Sequence, residues 1–327
     1  MNRVLFSTSA DSYDLATGYR TRSMLCTPIK NRSGKIVGVL QLLNKIGGPF
    51  GSVDLEFLDA ISDHMAIAME NATIHLALVE MERMERELQL GREIQSELLP
   101  ATPDGLHGVS IAALSIPCYE VGGDYYDFLQ LPDDELGIVI GDVSGKGVGA
   151  ALIMSSLQAA LRVAAPLEDD MAMLLSRLNT FVFDATHGRK YVTLFFGRYT
   201  PSSGLLRYVN AGHNPPYVVE GESVKVLATT GRPVGILPGS DYETGSITLA
   251  PGATLTLYTD GLNEATNAED HEFGNLRLAE LVRDASHGDV TSMPRRVLAA
   301  VTEFEAGTPP TDDKTIVVLR RTGQPSP

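Results

Sequence analysis

The stretch GIVIGDVSGKGVGAAL, residues 137–152, carries the pattern that decides the fold of this chain. Its first half is a short apolar run bounded by glycine, which is typical of a buried strand. Asp142 stands where this strand runs into the glycine-rich turn VSGKG, and a helical pattern follows from Val148 to Ala165. The segment therefore predicts a strand, a tight turn with a carboxylate at its start, and a helix.

Further short apolar runs lie on both sides of this segment. They are VSIAALSIP, KYVTLFFGRYT, LLRYVNAG, ATLTLYTDG and KTIVVLR, all between residues 109 and 320. Helical patterns fit Asp169 to His187, Asn275 to Arg283 and Met293 to Phe304. Many strands without a strict alternation of strand and helix favour an α+β layered domain over a doubly wound parallel sheet.

The N-terminal region follows a different pattern. MLCTPIKNRSGKIVGVLQLLN, residues 24–44, contains two apolar runs around a turn and predicts a β-hairpin. A long helix is predicted next, with Ser52 as its N-cap and its end between Gly91 and Pro100. Its apolar residues at helical spacing are Leu55, Leu58, Ile61, Met65, Met69, Ile74, Leu78, Met81, Met84 and Leu88. The narrow stripe beside the charged run EMERMERE favours pairing with a second copy of the chain over packing on its own domain.

Composition and charge exclude several classes of protein. The chain of 327 residues has 41 acidic and 26 basic side chains, a formal charge of −15. This balance argues against binding to nucleic acid or to an anionic membrane surface. No apolar run is long enough to cross a bilayer and the N-terminus lacks a secretory pattern, so the expected location is the cytoplasm. Two cysteines, Cys26 and Cys118, are too few for a disulfide framework.

Four aspartates stand beside predicted strands and glycines. They are Asp124 in VGGDYYD, Asp142, Asp260 in YTDGLNEA and Asp312 in PPTDDKTIVVLR. A single aspartate in such a place is commonly a turn residue. Strand ends on a rigid sheet can nevertheless bring carboxylates from distant segments to one cleft, and hard oxygen ligands suit Mg²⁺ or Mn²⁺. The four together predict a metal site.

Motifs between residues 88 and 321 resemble one known family. They are REIQSELLP, GGDYYDF, GDVSGKGVGAAL, YVNAGHNPP, GRPVGILPG, YTDGLNEA and TDDKTIVVL, in this order. The region is similar to the bacterial metal-dependent serine/threonine protein phosphatases of the sporulation stage II E and sigma-factor-regulator type. The resemblance implies a two-sheet antiparallel β-sandwich flanked by helices.

The resemblance also implies a centre of two Mn²⁺ or Mg²⁺ ions. Asp142 would bridge both ions, and the Val143 carbonyl would bind one of them. Asp260 and Asp312 would complete the shell of the second ion, and Asp124 would reach the first directly or through water. Asp142 and Asp124 are thus the predicted catalytic residues, and Asp313 is placed beside the ligands. Because two ions can activate a water for attack on phosphorus, no side-chain nucleophile is needed.

The proton donor is left open by the sequence. Animal-type relatives carry a histidine two residues after the bridging aspartate, whereas this chain has Ser144 there. Lys146, a metal-bound water and His213 are candidates, and a structural role is favoured for His213.

A second motif, CTPIKNRS at residues 26–33, matches the Cys-x5-Arg-Ser loop of thiol phosphatases. That chemistry needs successive backbone N–H groups facing the phosphate from a loop that opens a helix. Pro28 lacks an N–H, and Ser33-Gly34 leads into a predicted strand. The match is interpreted as accidental.

The region from about Gly18 to Ala72 resembles the C-terminal half of a GAF sensor domain. RTRSMLCTPIKNRSGKIVGVLQLLNK and FLDAISDHMAIAMENA carry the resemblance. The residues Asn44, Lys45, Phe50 and Asp54 match a pattern associated with cyclic-nucleotide-binding members, but the acidic residue expected next is Leu55. A hairpin and helix in a folding core would explain the same residues.

The predicted organisation is a partial GAF domain at 1–72, a coiled-coil-like linker at 73–100 and a phosphatase domain at 101–323. The predicted substrate is a phosphorylated bacterial regulator, an anti-anti-sigma factor by family analogy. A homodimer through the linker helix is expected. The alternative from another class is a non-catalytic signalling module that binds a partner through the same fold.

Overall fold

The computed structural model describes residue 18 and residues 20–103 and 107–323. The predicted start of the sensor domain and residues 104–106, at the start of the predicted phosphatase domain, lie outside the described residues. Contacts divide the chain into two compact units, with the division between Glu87 and Leu88. Among the described residues, no helix is both long enough and apolar enough to cross a membrane.

The first unit contains the predicted hairpin. Strands β1 (Met24–Lys30) and β2 (Ile36–Leu43) pair antiparallel, with Met24 opposite Leu43. Helix α1 (Ser52–Leu98) begins where the sequence places it, and the Asp54 carboxylate accepts a hydrogen bond from the Gly51 amide at 2.7 Å. The Thr27 hydroxyl donates to Asp59 of the helix at 2.8 Å, which links hairpin and helix.

The second unit contains the remaining described strands. They are β3 (Val109–Ile116), β4 (Asp124–Gln130), β5 (Leu136–Val143), β6 (Val192–Thr200), β7 (Leu205–Ala211), β8 (Tyr217–Glu220), β9 (Ser223–Val226), β10 (Gly245–Thr248), β11 (Thr254–Tyr258) and β12 (Lys314–Arg321). They form two sheets, in the orders β10-β7-β6-β5-β4 and β3-β12-β11-β8-β9, and their pairings are antiparallel.

Helices cover the outer face of each sheet. They are α2 (Val148–Ala164), α3 (Met171–Thr186), α4 (Asp260–Asn263), α5 (Asn275–Ser286) and α6 (Met293–Glu305), with a 3₁₀ turn at Val290–Ser292. Along β5, Ile138 and Ile140 pack between the sheets, whereas Val139 packs with residues of α2 and α3. Burial on both faces explains why GIVIG is continuously apolar. The α+β prediction of a two-sheet sandwich flanked by helices is confirmed.

Several strands were not predicted from the sequence. The strands β8, β9 and β10 have only four residues each, too few for a clear alternation. The strand β4 begins DYYD, and its Asp124 and Asp127 are buried. Buried carboxylates break the apolar pattern that identifies a core strand, so Asp124 begins a strand where the sequence suggested a strand running into a turn.

Candidate metal centre

The pairing of β4 with β5 brings two of the predicted ligands together. Asp124 lies directly opposite Asp142 in the register of the two strands. Gly123 precedes Asp124, and a Cβ at this position would lie 3.4 Å from Asp142 Oδ1 and 3.1 Å from the Val143 carbonyl oxygen. The absence of a side chain at Gly123 therefore lets these groups approach each other closely.

Asp260 and Asp312 come from the other sheet. Asp260 begins α4 directly after β11, and Asp312 lies two residues before β12, the antiparallel neighbour of β11. A Cβ at Gly261 would lie 2.0 Å from the Asp313 carbonyl oxygen, a distance that no side chain tolerates. Glycine at position 261 thus allows the two segments to meet.

The four aspartates interact electrostatically. Burial raises the pKa of Asp142 to about 8, and the charges of Asp260, Asp312 and Asp313 act in the same direction. Burial, followed by the charge of Asp142, also raises the pKa of Asp124 well above its usual range. The pKa of Asp260 is raised by burial and by Asp312. Such a cluster of oxygen donors fits hard divalent cations, because their charge offsets the mutual repulsion.

Asp313 holds the backbone around the cluster. Its Oδ1 accepts a hydrogen bond from the Cys118 amide at 2.8 Å, and its Oδ2 accepts one from the Gly123 amide at 2.7 Å. The side chain is buried. The carboxylate thus fixes the loop that leads to Asp124, in keeping with a position beside the ligands.

Two of the candidate proton donors differ in their access to the cluster. Lys146 Nζ lies 2.8 Å from Asp312 Oδ2, and its side chain is 39% exposed. His213 is only 2% exposed, its Nδ1 lies 3.0 Å from the Thr193 hydroxyl, and burial lowers its pKa to about 4. These surroundings fit the structural role favoured for His213.

Three residues near the cluster were missed by the sequence reasoning. Thr259 donates a hydrogen bond to Asp124 Oδ2 at 2.7 Å and accepts one from the Thr315 amide at 3.0 Å. The Cys118 sulfur lies within 4.8 Å of carboxylate oxygens of Asp312 and Asp313. Burial, followed by the charge of Asp313, raises the pKa of Cys118 to about 11. The signal for Thr259 was its place directly before Asp260, whereas nothing local marked Cys118.

The third missed residue is Gln95, in the motif REIQSELLP. Its side-chain amide donates to the Gly122 carbonyl at 2.7 Å and accepts from the Gly122 amide at 2.9 Å. This two-point contact joins the end of α1 to the loop that leads to Asp124. The motif signalled a relationship to the family but not this contact.

Replacing Thr259 with valine is expected to weaken Mn²⁺ binding by about tenfold to a hundredfold, because Asp124 loses the donor that orients it. Calorimetric titration with Mn²⁺ measures the change. Thr256→Val is the matched control, since the Thr256 hydroxyl is buried in the adjoining strand and has no hydrogen-bond partner among the described residues. Equal Mn²⁺ affinity in both variants would show that Thr259 does not position Asp124 for metal binding.

The motif residues of the first unit make internal contacts. The side-chain oxygen of Asn44, Oδ1, accepts hydrogen bonds from the backbone N–H groups of Arg22 and Ser23 at 2.6 and 3.2 Å. Lys45 Nζ lies 2.5 Å from Asp54 Oδ2. The hydrogen bond from Lys45 lowers the pKa of Asp54. These contacts tie the strands to the start of α1.

Cys26 lies within β1, opposite Gln41 of β2. It is therefore part of a regular strand and does not open a loop before a helix. This placement agrees with the interpretation of CTPIKNRS as an accidental match.

The sandwich and its acidic cluster define the PP2C class of metal-dependent protein phosphatases. The family model of stage II sporulation protein E matches residues 132–322, and the GAF domain model matches residues 4–69. The chain belongs to the stage II sporulation protein E family and carries an N-terminal GAF domain. Phosphatases of this family use Mn²⁺ or Mg²⁺ in general.

Known proteins with related sequences support this assignment. The chain is 37% identical to protein IcfG of Synechocystis sp. over 59% of this chain and 35% of that protein. It is 26% identical to phosphoserine phosphatase RsbU of Bacillus subtilis over 73% of this chain and 71% of that protein. The match to IcfG thus spans about a third of its length.

A solved structure shares the fold. The SiaA-PP2C domain of Pseudomonas aeruginosa matches with a TM-score of 0.65 and 26% identity, covering 74% of this chain and 98% of that domain. The similarity therefore extends over almost the whole of the solved phosphatase domain.

Proposed function

We propose that this chain hydrolyses phosphoserine or phosphothreonine on a bacterial regulatory protein, with two Mn²⁺ or Mg²⁺ ions at the acidic cluster. One observation carries the proposal: Asp124 lies opposite Asp142 in paired strands, and burial together with the charges of Asp260 and Asp312 raises the pKa of Asp142 to about 8. A module that only binds a partner would have no need for this arrangement. The similarity to a phosphoserine phosphatase supports the type of reaction.

The proposed ligands are those that the resemblance to the family implies. Asp142 would bridge the ions, and the Val143 carbonyl and Asp124 would bind the first. Asp260 and Asp312 would bind the second. When bound, the ions would lower the pKa of a water and neutralise the phosphoryl oxygens.

The other residues of the site orient the proposed ligands or bind the substrate phosphate. Thr259 directs Asp124, and Asp313 fixes the loop before it. Lys146 is the cation that we assign to the substrate phosphate, because its side chain is 39% exposed and its Nζ lies beside Asp312, whereas His213 is buried. Lys146 and a metal-bound water then remain the two candidates for the group that donates a proton to the leaving serine or threonine.

The proposed organisation is a partial GAF domain in residues 1–72, a coiled-coil-like linker helix in 73–100 and the phosphatase domain in 101–323. We further propose that the linker helix forms a homodimer. Its apolar residues Ile74, Leu78, Met81 and Met84 are each at least 50% exposed, which supports a partner helix at this stripe. The mass of the full chain by sedimentation equilibrium tests the dimer. The choice of an anti-anti-sigma factor as substrate follows from the family alone.

Hydrolysis of para-nitrophenyl phosphate by the full chain tests the activity. We expect turnover with Mn²⁺ and loss of turnover in excess EDTA, restored by added Mn²⁺, because the carboxylate cluster requires cations. A Cys26→Ser variant is the control and is expected to retain full activity. Folded protein without activity in Mn²⁺ would favour the partner-binding module, and EDTA-resistant activity lost in Cys26→Ser would favour thiol chemistry.

A further inference from the structure

A cavity lies beside the acidic cluster, between the end of β3 and the C-terminal end of α6. Its volume is about 230 Å³. Its walls include Ile116, Pro117, Leu298, Thr302 and Pro310. Asp312, one of the proposed metal ligands, also lines the cavity, so the cavity adjoins the proposed metal centre at this residue.

The chemistry of the walls selects an apolar occupant. Ile116, the last residue of the edge strand β3, is 41% exposed, so its side chain is open to a partner. Lys314 and Glu305 also line the cavity, but they form an ion pair of 2.5 Å and each is 7% exposed. Because these two charges neutralise each other, they do not favour a charged group in the cavity.

The size of the cavity fits one side chain. Pockets that hold small molecules have volumes of about 300–1,000 Å³, whereas an apolar cavity of about 150 Å³ holds a single benzene. Cys118, which lines the cavity, has its sulfur within 4.8 Å of the Asp312 and Asp313 carboxylates. An extended segment advances about 3.3 Å per residue. Because Asp312 is both a proposed ligand and part of the cavity wall, we expect a residue one to three positions from the phosphoserine to reach the cavity.

We propose that this cavity binds an apolar side chain of the substrate protein, one to three residues from the phosphorylated serine or threonine. This specificity site rests on the proposed phosphatase activity. It gives the chain a preference among phosphoproteins that the metal centre itself does not provide, since the centre contacts only the phosphate.

The test uses the full chain in Mn²⁺ with synthetic phosphoserine peptides in an alanine background. A single leucine is moved through positions −4 to +4 around the phosphoserine. We expect leucine at one or two positions within three residues to raise kcat/KM about tenfold, as an apolar pocket discriminates by this order. Thr302→Trp, which fills the cavity, is expected to abolish this preference while para-nitrophenyl phosphate hydrolysis stays within twofold.

Glu303→Trp is the matched control, because Glu303 is the exposed neighbour of Thr302 on α6 and does not line the cavity. It should keep the leucine preference. Ile116→Asn is a second variant, on the opposite wall, and should weaken the preference without loss of para-nitrophenyl phosphate hydrolysis. Peptides hydrolysed equally well at every leucine position, or a preference unchanged in Thr302→Trp, would overturn the specificity site alone. Absence of para-nitrophenyl phosphate hydrolysis in the unmodified chain would overturn the proposed activity itself.

Discussion

Asp142→Asn is expected to reduce para-nitrophenyl phosphate hydrolysis in Mn²⁺ by about a thousandfold or more. Asp142 is the proposed bridge between both ions, so the variant loses several kcal/mol of charge stabilisation in the transition state. Each loss of about 1.4 kcal/mol lowers the rate tenfold. Steady-state kinetics with Mn²⁺ in excess measures the loss.

The same variant should change stability in opposite ways with and without metal. In EDTA near neutral pH, Asp142→Asn removes a carboxyl that folding must either protonate or bury as a repelled charge, because its pKa is raised to about 8, so the Tm of the variant should exceed that of the unmodified chain. Mn²⁺ at a hundred times its Kd should stabilise the unmodified chain by about 2.7 kcal/mol and the variant by less. Thermal unfolding followed by calorimetry reads both effects.

Asp241→Asn serves as the control, because Asp241 is exposed and belongs to the same unit. It should leave activity and both Tm values unchanged. The assignment of Asp142 fails if Asp142→Asn retains Mn²⁺-dependent activity, or if Mn²⁺ raises its Tm as much as that of the unmodified chain.

Arg162→Met is expected to lower the free energy of unfolding by about 3 kcal/mol, because it leaves a buried carboxylate without its cation. Asp127 is fully buried, and its two oxygens lie 2.7 and 3.0 Å from Arg162 Nε and Nη2. The Tyr125 hydroxyl and the Phe128 amide also donate to Asp127, at 2.8 and 2.9 Å. Because these two donors remain and the Arg162 side chain is itself 47% exposed, the cost lies at the lower end of the range for a broken buried pair. Urea unfolding of the variant measures it.

Arg177→Met is the matched control. Arg177 pairs with Glu168 at 3.1 Å, but its side chain is 68% exposed, so its loss should cost less than about 1 kcal/mol. The double variant Arg162→Met with Asp127→Asn should recover part of the stability, because no buried charge then remains. Equal destabilisation by Arg162→Met and Arg177→Met would show that the ion pair of Arg162 with Asp127 contributes no more to the free energy of unfolding than an exposed ion pair.

The local patterns of the sequence were sufficient to predict most of the longer helices and strands. The helix from Ser52 was predicted because its apolar residues recur at helical spacing, and the structure extends it to Leu98. The run GIVIG predicted a buried strand because it is continuously apolar, and β5 is buried on both faces. The ordered motifs identified the family, which the family model confirms over residues 132–322.

Elements that contain buried polar residues could not be predicted from hydrophobic patterns. The strand β4 was missed because Asp124 and Asp127 are polar in sequence but buried in the fold. Each is tolerated by partners that come from other elements, Thr259 for Asp124 and Arg162 for Asp127. A hydrophobic pattern cannot indicate such partners, since it reflects the polarity of each residue along the chain and contains no information on its tertiary contacts.

The sequence by itself determined the family and the elements with clear periodicity, because the motifs and the apolar spacing are contained in neighbouring residues, and it predicted the four aspartates as ligands. Only the tertiary structure decided which groups meet: Asp124 opposite Asp142, Thr259 beside an aspartate 135 positions away, and Cys118 on an Asp313 that is 195 positions away. Strand register and sheet order set these distances, and both depend on contacts between segments far apart in the chain.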